Sequence, residues 1–140
     1  MNNCRYKCYA LKENVADFPT MLNGLLDKYK PENTPVRLVF FSDVADNVRY
    51  KDELDLIREE ADKRFGEKVP VISYIAQKPL DGSGLVMEVH EIRLFADEVI
   101  EYKSLWSNFY ITITSSHVKQ LFLGGVTSDP NESFSVQSYN

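Results

Sequence analysis

The chain has 140 residues, 44% of them hydrophobic and 26% charged, which fits one globular domain and excludes a disordered tail or a fibre. Its 16 Lys and Arg stand against 21 Asp and Glu, a formal charge of -5 that lacks the basic footprint of a phosphate-neutralising surface, so no nucleic-acid partner is expected. No apolar run approaches the roughly 20 residues a bilayer crossing requires, and no basic-then-apolar signal opens the chain, so the expectation is a soluble, cytoplasmic protein with no membrane partner.

Cys4 and Cys8 lie four apart, which places them on one face of a strand or one stripe of a helix. That gap matches neither a zinc knuckle nor a redox dithiol, so they read as two reduced thiols and no metal site is expected. Tyr6 to Leu11 has the makings of a short strand. Asp17, Phe18 and Pro19 then form a helix-start signal, because the carboxylate accepts from free amides and proline has no amide to leave unpaired. Met21, Leu22, Leu25, Leu26 and Tyr29 recur at helical spacing until Pro31 ends the run.

Val36 to Ser42 has the composition of a buried strand. A second helix follows, with Tyr50, Leu54, Ile57 and Ala61 as its inward stripe and Lys51–Asp55, Glu59–Lys63 and Glu60–Arg64 as four-apart ion pairs on its wet side. Gly66 closes it. The charge run from Asp52 to Lys68 is a solvated helix face rather than a binding patch. Val69 to Gln77 and Leu85 to Phe95 are consecutive strands, expected to pair with each other, around a turn containing Pro79, Asp81, Gly82 and Gly84. Asp97 to Ser107 stays ambiguous, and Trp106 within it reads as a packing residue. Phe109 to Thr114 and Val118 to Val126 form a hairpin around Ser115, Ser116 and His117, and Phe134 to Asn140 begins a further element.

The predicted order is strand, helix, strand, helix and four more strands: an α+β domain in which a single mixed β-sheet carries two helices packed on one face. Nothing divides the 140 residues into two domains. The uncovered face then needs a second cover, and self-association burying on the order of 800 Å² per partner would supply it. No phosphate-loop or Gly-x-Gly-x-x-Gly spacing occurs, and no cofactor is expected.

The run Val39-Phe40-Phe41-Ser42-Asp43-Val44, the long helix to Gly66, Val69-Pro70-Val71-Ile72-Ser73-Tyr74-Ile75-Ala76 and Leu85-Val86-Met87-Glu88-Val89 together resemble the RidA/YjgF family of small trimeric proteins, over roughly Val36 to Ile92. Lys119-Gln120-Leu121-Phe122-Leu123-Gly124-Gly125-Val126-Thr127, with Gln137 later, is similar to the segment with which that family opens. Here the hairpin, at about 107–127, comes last. The domain is then either circularly permuted or a slice of a tandem protein.

The resemblance implies a chorismate mutase-like architecture, a homotrimer, and a small-molecule ligand bound in clefts between subunits. Its deaminase members carry an arginine in a Pro-x-Arg-Ser segment that grips the substrate carboxylate through two parallel hydrogen bonds. Here that segment reads Pro70-Val71-Ile72-Ser73, with Ile72 in place of the arginine, so the standard imine deaminase activity is expected to be lost. Glu88 aligns with the acidic residue that positions the attacking water and is the candidate catalytic residue. Ser73, Tyr74, His90, Gly124 and Gly125 are the expected ligand-binding set.

Glu88 and His90 share a strand face by alternation, with Arg93 opposite. They are either an acid/base pair or two polar residues held in a sheet. Gly124-Gly125 marks a close backbone approach or a β-bulge. Three functions compete. The first is a metabolite-binding RidA-like trimer. The second is an active divergent enzyme on a chorismate-like or other cyclic acid, which needs a cation such as Arg5, Arg37 or Lys119. The third is a structural or interaction module with no cleft.

Overall fold

The computed structural model describes residues 5–105, 108–115 and 119–123. Its elements are β1 (Tyr6–Glu13), α1 (Phe18–Lys28), β2 (Thr34–Ser42), α2 (Asn47–Phe65), β3 (Val71–Ala76), β4 (Leu85–Ile92), β5 (Val99–Leu105), β6 (Asn108–Thr114) and β7 (Lys119–Leu123). Four strands form a mixed sheet in the order β1-β4-β2-β3, where β2 and β3 run parallel and β4 is antiparallel to both of its neighbours, so the consecutive strands β3 and β4, expected to pair, are separated by β2. Among the described residues no helix is long and apolar enough to cross a membrane.

Helix α1 starts where its sequence signal lies, and α2 starts at a cap, Asp46, that sequence reasoning had not singled out. Asp17 accepts from the Thr20 amide at 2.9 Å and Asp46 from the Arg49 amide at 2.8 Å, each satisfying a donor that the first helical turn leaves free. Gly66 ends α2 at φ 62°, a left-handed conformation that costs glycine little. The apolar stripes of both helices pack on one sheet face, with Leu22, Leu25, Leu54, Ile57 and Ala61 against Leu38, Phe40, Ile72, Tyr74, Leu85, Met87 and Val89. On the wet side Glu59 and Lys63 pair at 3.5 Å, but Arg64 reaches across to Asp27 at 2.7 Å and so ties α2 to α1. Gly84 lies where β4 begins, so close to the loop after β1 that a Cβ there would stand 2.7 Å from Val15 Cα.

A single sheet was the expectation, and there are two. β5, β6 and β7 form their own antiparallel sheet, and β5 (Val99–Leu105) lies within the stretch that the sequence left ambiguous, whose Trp106 and Ser107 are outside the described residues. The reason lies in the alternation of β6. Ile111 and Ile113 point to one side and are buried against Val36, Val71 and Ile92, so the hairpin caps part of the first sheet face-on and does not lengthen it edge-on. The cap lies over the face away from the helices.

Candidate active face

Register, more than sequence distance, decides which side chains meet on this second face. Partnered residues on neighbouring strands project to the same side. One row across the sheet runs Cys8, His90, Arg37 and Val71, and the next runs Ala10, Glu88, Val39 and Ser73. A third holds Lys12, Val86, Phe41 and Ile75. The second sheet packs near Val71, Val36 and Ile92, whereas Cys8, Ala10 and Ile75 remain exposed and Arg37, Ser73, Glu88 and His90 half-buried.

The structure brings Ser73, Glu88 and His90 onto one face: alternation along β4 accounts for Glu88 and His90, and the register of β3, β2 and β4 adds Ser73. Glu88 Oε1 lies 2.7 Å from His90 Nε2, and the same nitrogen is 3.8 Å from Cys8 Sγ. The thiol is pushed up from its ordinary value, first by partial desolvation and then by the charge and hydrogen bond of Glu88. This is not a nucleophilic relay. A Cys–His–acid triad uses opposite ring nitrogens, with the acid orienting one and the thiol giving its proton to the other. Here both neighbours converge on Nε2, and the nearby carboxylate opposes thiolate formation.

Tyr74 does not join this set. It lies on the helix side, is buried, and donates to Glu53 Oε1 at 2.6 Å while sharing a short hydrogen bond with Ser42. Tyr50 stacks on it with ring centroids 4.9 Å apart. Burial, and then the Glu53 hydrogen bond, raise the Tyr74 hydroxyl well above its usual value, so it stays a protonated donor. Ile72 also faces the helices and is only 8% exposed. Adjacent strand residues project oppositely, so position 72 points away from Glu88 and Ser73 whatever residue stands there. Gly124 and Gly125 lie outside the described residues.

Of the three candidate cations, Arg37 is on the face in question, in register with His90. Arg5 is engaged by Glu98 and lies 4.0 Å from the centre of the Phe95 ring. Lys119 belongs to β7, and only its backbone is described. Further along the face a shallow depression of about 270 Å³ is bordered by Lys12, Phe41, Lys78, Leu80, Asp81 and Val86.

Sequence reasoning missed two features. Cys8 meets His90 across 82 residues of chain, a proximity that only the β1–β4 register creates. Glu91, next to His90, is wholly buried on the helix side and accepts from Tyr29 Oη at 2.6 Å, Tyr9 Oη at 3.1 Å and the Asn33 amide at 3.2 Å. Alternation along β4 was the available signal, because it sets residue 91 on the same side as Leu85, Met87 and Val89. Comparison with family models, with curated proteins and with solved structures gave no match.

Proposed function

We propose that the protein is a RidA/YjgF-like binder of small carboxylic acids, that the ligand sits on the half-open sheet face in a cleft completed by a second copy, and that three copies make the assembly. The observation that carries this reading is Arg37 in register with His90 and one row from Glu88, on a face that, among the described residues, the second sheet covers at the end marked by Val36, Val71 and Ile92. A guanidinium presents two parallel donors to a carboxylate, which makes it the natural anchor for such a ligand. His90 and Glu88 then offer a donor and an acceptor to the rest of the molecule, and Ser73 adds a hydroxyl two strands away. The family resemblance is supported by the succession strand, helix, strand, helix, strand, strand within one sheet, with both helices on the same face.

The standard imine deaminase reaction is not part of this proposal. The segment Pro70-Val71-Ile72-Ser73 has no arginine, and Ile72 belongs to the core. An assay with a generated 2-imino acid is expected to show no turnover above the spontaneous rate.

Equilibrium binding of a 2-oxo acid, measured by calorimetry in the presence of a chelator, tests the anchor. Arg37→Ala should weaken binding by at least about thirtyfold, the loss expected when one partner of a partly buried charge pair is removed. Equal affinity in the two proteins would remove Arg37 from the site and this reading with it.

A further inference from the structure

Cys8, Glu88 and His90 each bring a metal-ligating atom into one small cluster, and we propose that they hold a divalent transition metal of the zinc type. The three atoms, a sulfur, an imidazole nitrogen and a carboxylate oxygen, lie within 4.8 Å of one another. Zinc takes sulfur at about 2.3 Å, nitrogen at about 2.0–2.1 Å and carboxylate oxygen at about 2.0–2.2 Å in a tetrahedron. Those bond lengths separate sulfur from nitrogen by about 3.6 Å and nitrogen from oxygen by about 3.3 Å. The corresponding separations here are 3.8 Å and 2.7 Å. The sulfur–nitrogen separation therefore already suits an ion, and the nitrogen–oxygen separation suits one once Glu88 withdraws from His90 by about half an ångström on a flexible side chain.

Three further points favour a metal over a hydrogen-bonded cluster. Thiol and carboxylate both approach the same ring nitrogen, an arrangement with little use in proton transfer but natural when one lone pair on each group points at a shared cation. The donor set also suits the ion, since borderline-soft sulfur with imidazole selects zinc or cobalt over magnesium or calcium. A thiolate and a carboxylate neutralise its charge. Finally, all three donors stand on paired strands, with Cys8 opposite His90 and Glu88 two residues before it, so the backbone arranges them before any ion arrives.

Three protein donors leave a fourth position for water or a ligand atom. Arg37, across His90 from Cys8, would face an anionic ligand bound there. The metal site uses only β1 and β4 and does not rest on the family reading. Carboxylate binding measured with chelator present reports on that reading alone, so the two fail separately.

The test is a titration of the chelator-stripped protein with Co²⁺, followed by displacement with Zn²⁺. We expect one equivalent to bind with tetrahedral visible bands and a thiolate-to-cobalt charge-transfer band that zinc abolishes. Cys8→Ser should lose the charge-transfer band, and His90→Ala and Glu88→Gln should each weaken binding on the order of a hundredfold. Cys4→Ser should bind as the unmodified protein does. Cys8, Glu88 and His90 lie exposed or half-buried on the sheet, and unchanged circular dichroism confirms that each variant is folded. Absence of a stoichiometric charge-transfer band in the unmodified protein, or a band that survives Cys8→Ser and disappears with Cys4→Ser, overturns the proposal.

Discussion

Glu91→Ala is expected to destabilise the protein by about 3–5 kcal/mol, because it removes the acceptor shared by three donors and leaves buried ones unpaired. Tyr29 Oη, Tyr9 Oη and the Asn33 amide all end on this one carboxyl group, and none of its surface reaches solvent. Each donor left unsatisfied costs about 1–3 kcal/mol, and a vacated side-chain volume adds to that. Burial and Glu91 together drive the Tyr29 hydroxyl far above its usual value and that of Tyr9 to about 12, so both remain donors throughout the range in which the protein would be studied. Glu91→Gln, which keeps an acceptor oxygen, should recover part of the loss. Denaturant midpoints for the three proteins check this. The effect bears on function as well, since Tyr9 and Glu91 are the immediate neighbours of Cys8 and His90. The buried cluster clamps β1 to β4 on the helix side, and the register it secures is what joins Cys8 to His90 on the other. Loosening it should weaken Co²⁺ binding even at temperatures where the variant is still folded.

Ile72→Arg is the second substitution with a large expected effect. If position 72 opened onto the ligand face, an arginine there would restore the grip on a substrate carboxylate that deaminases of the RidA/YjgF type possess. Ile72 instead packs among the helix-facing side chains of β2 and β3. A guanidinium in that layer loses its hydration and overfills a packed site, at a cost of about 3–5 kcal/mol or more. Set against a total stability of roughly 5–15 kcal/mol for a domain, such a loss brings the fold close to its limit. Thermal unfolding should show a fall of many degrees, and the surviving folded protein should bind a 2-oxo acid no more tightly than before. An Ile72→Arg variant of undiminished stability and stronger binding would mean that β3 presents its other face to the ligand.

These two residues show how far the sequence was legible. The helices were readable because their evidence is local: Asp17 caps the amide three residues on, and the stripes of Leu22 and Leu25, and of Leu54, Ile57 and Ala61, follow the helical period. Strand existence was readable for the same reason, and alternation correctly set Glu88 and His90 side by side. What alternation along one strand cannot supply is the pairing between strands. That Cys8 stands opposite His90, and Arg37 on its other flank, follows from β4 lying between β1 and β2, a non-local choice. Facing was the other gap. Ser73 was placed with Glu88 from a segment resemblance that also included Ile72 and Tyr74, yet neighbours on a strand part company across the sheet, and Ile72 and Tyr74 went to the core. The second sheet escaped prediction because the apolar side of β6 was equally compatible with joining an edge and with capping a face.

An amide-resolved NMR titration with a 2-oxo acid decides whether the half-open face is where ligand binds. Shifts are predicted to concentrate at Cys8, Arg37, Ser73, Glu88 and His90, and to vanish in the Arg37→Ala protein. Shifts confined to the helices, or to the rim formed by Lys12, Lys78 and Asp81, with none at Arg37, would move the site elsewhere and overturn the account.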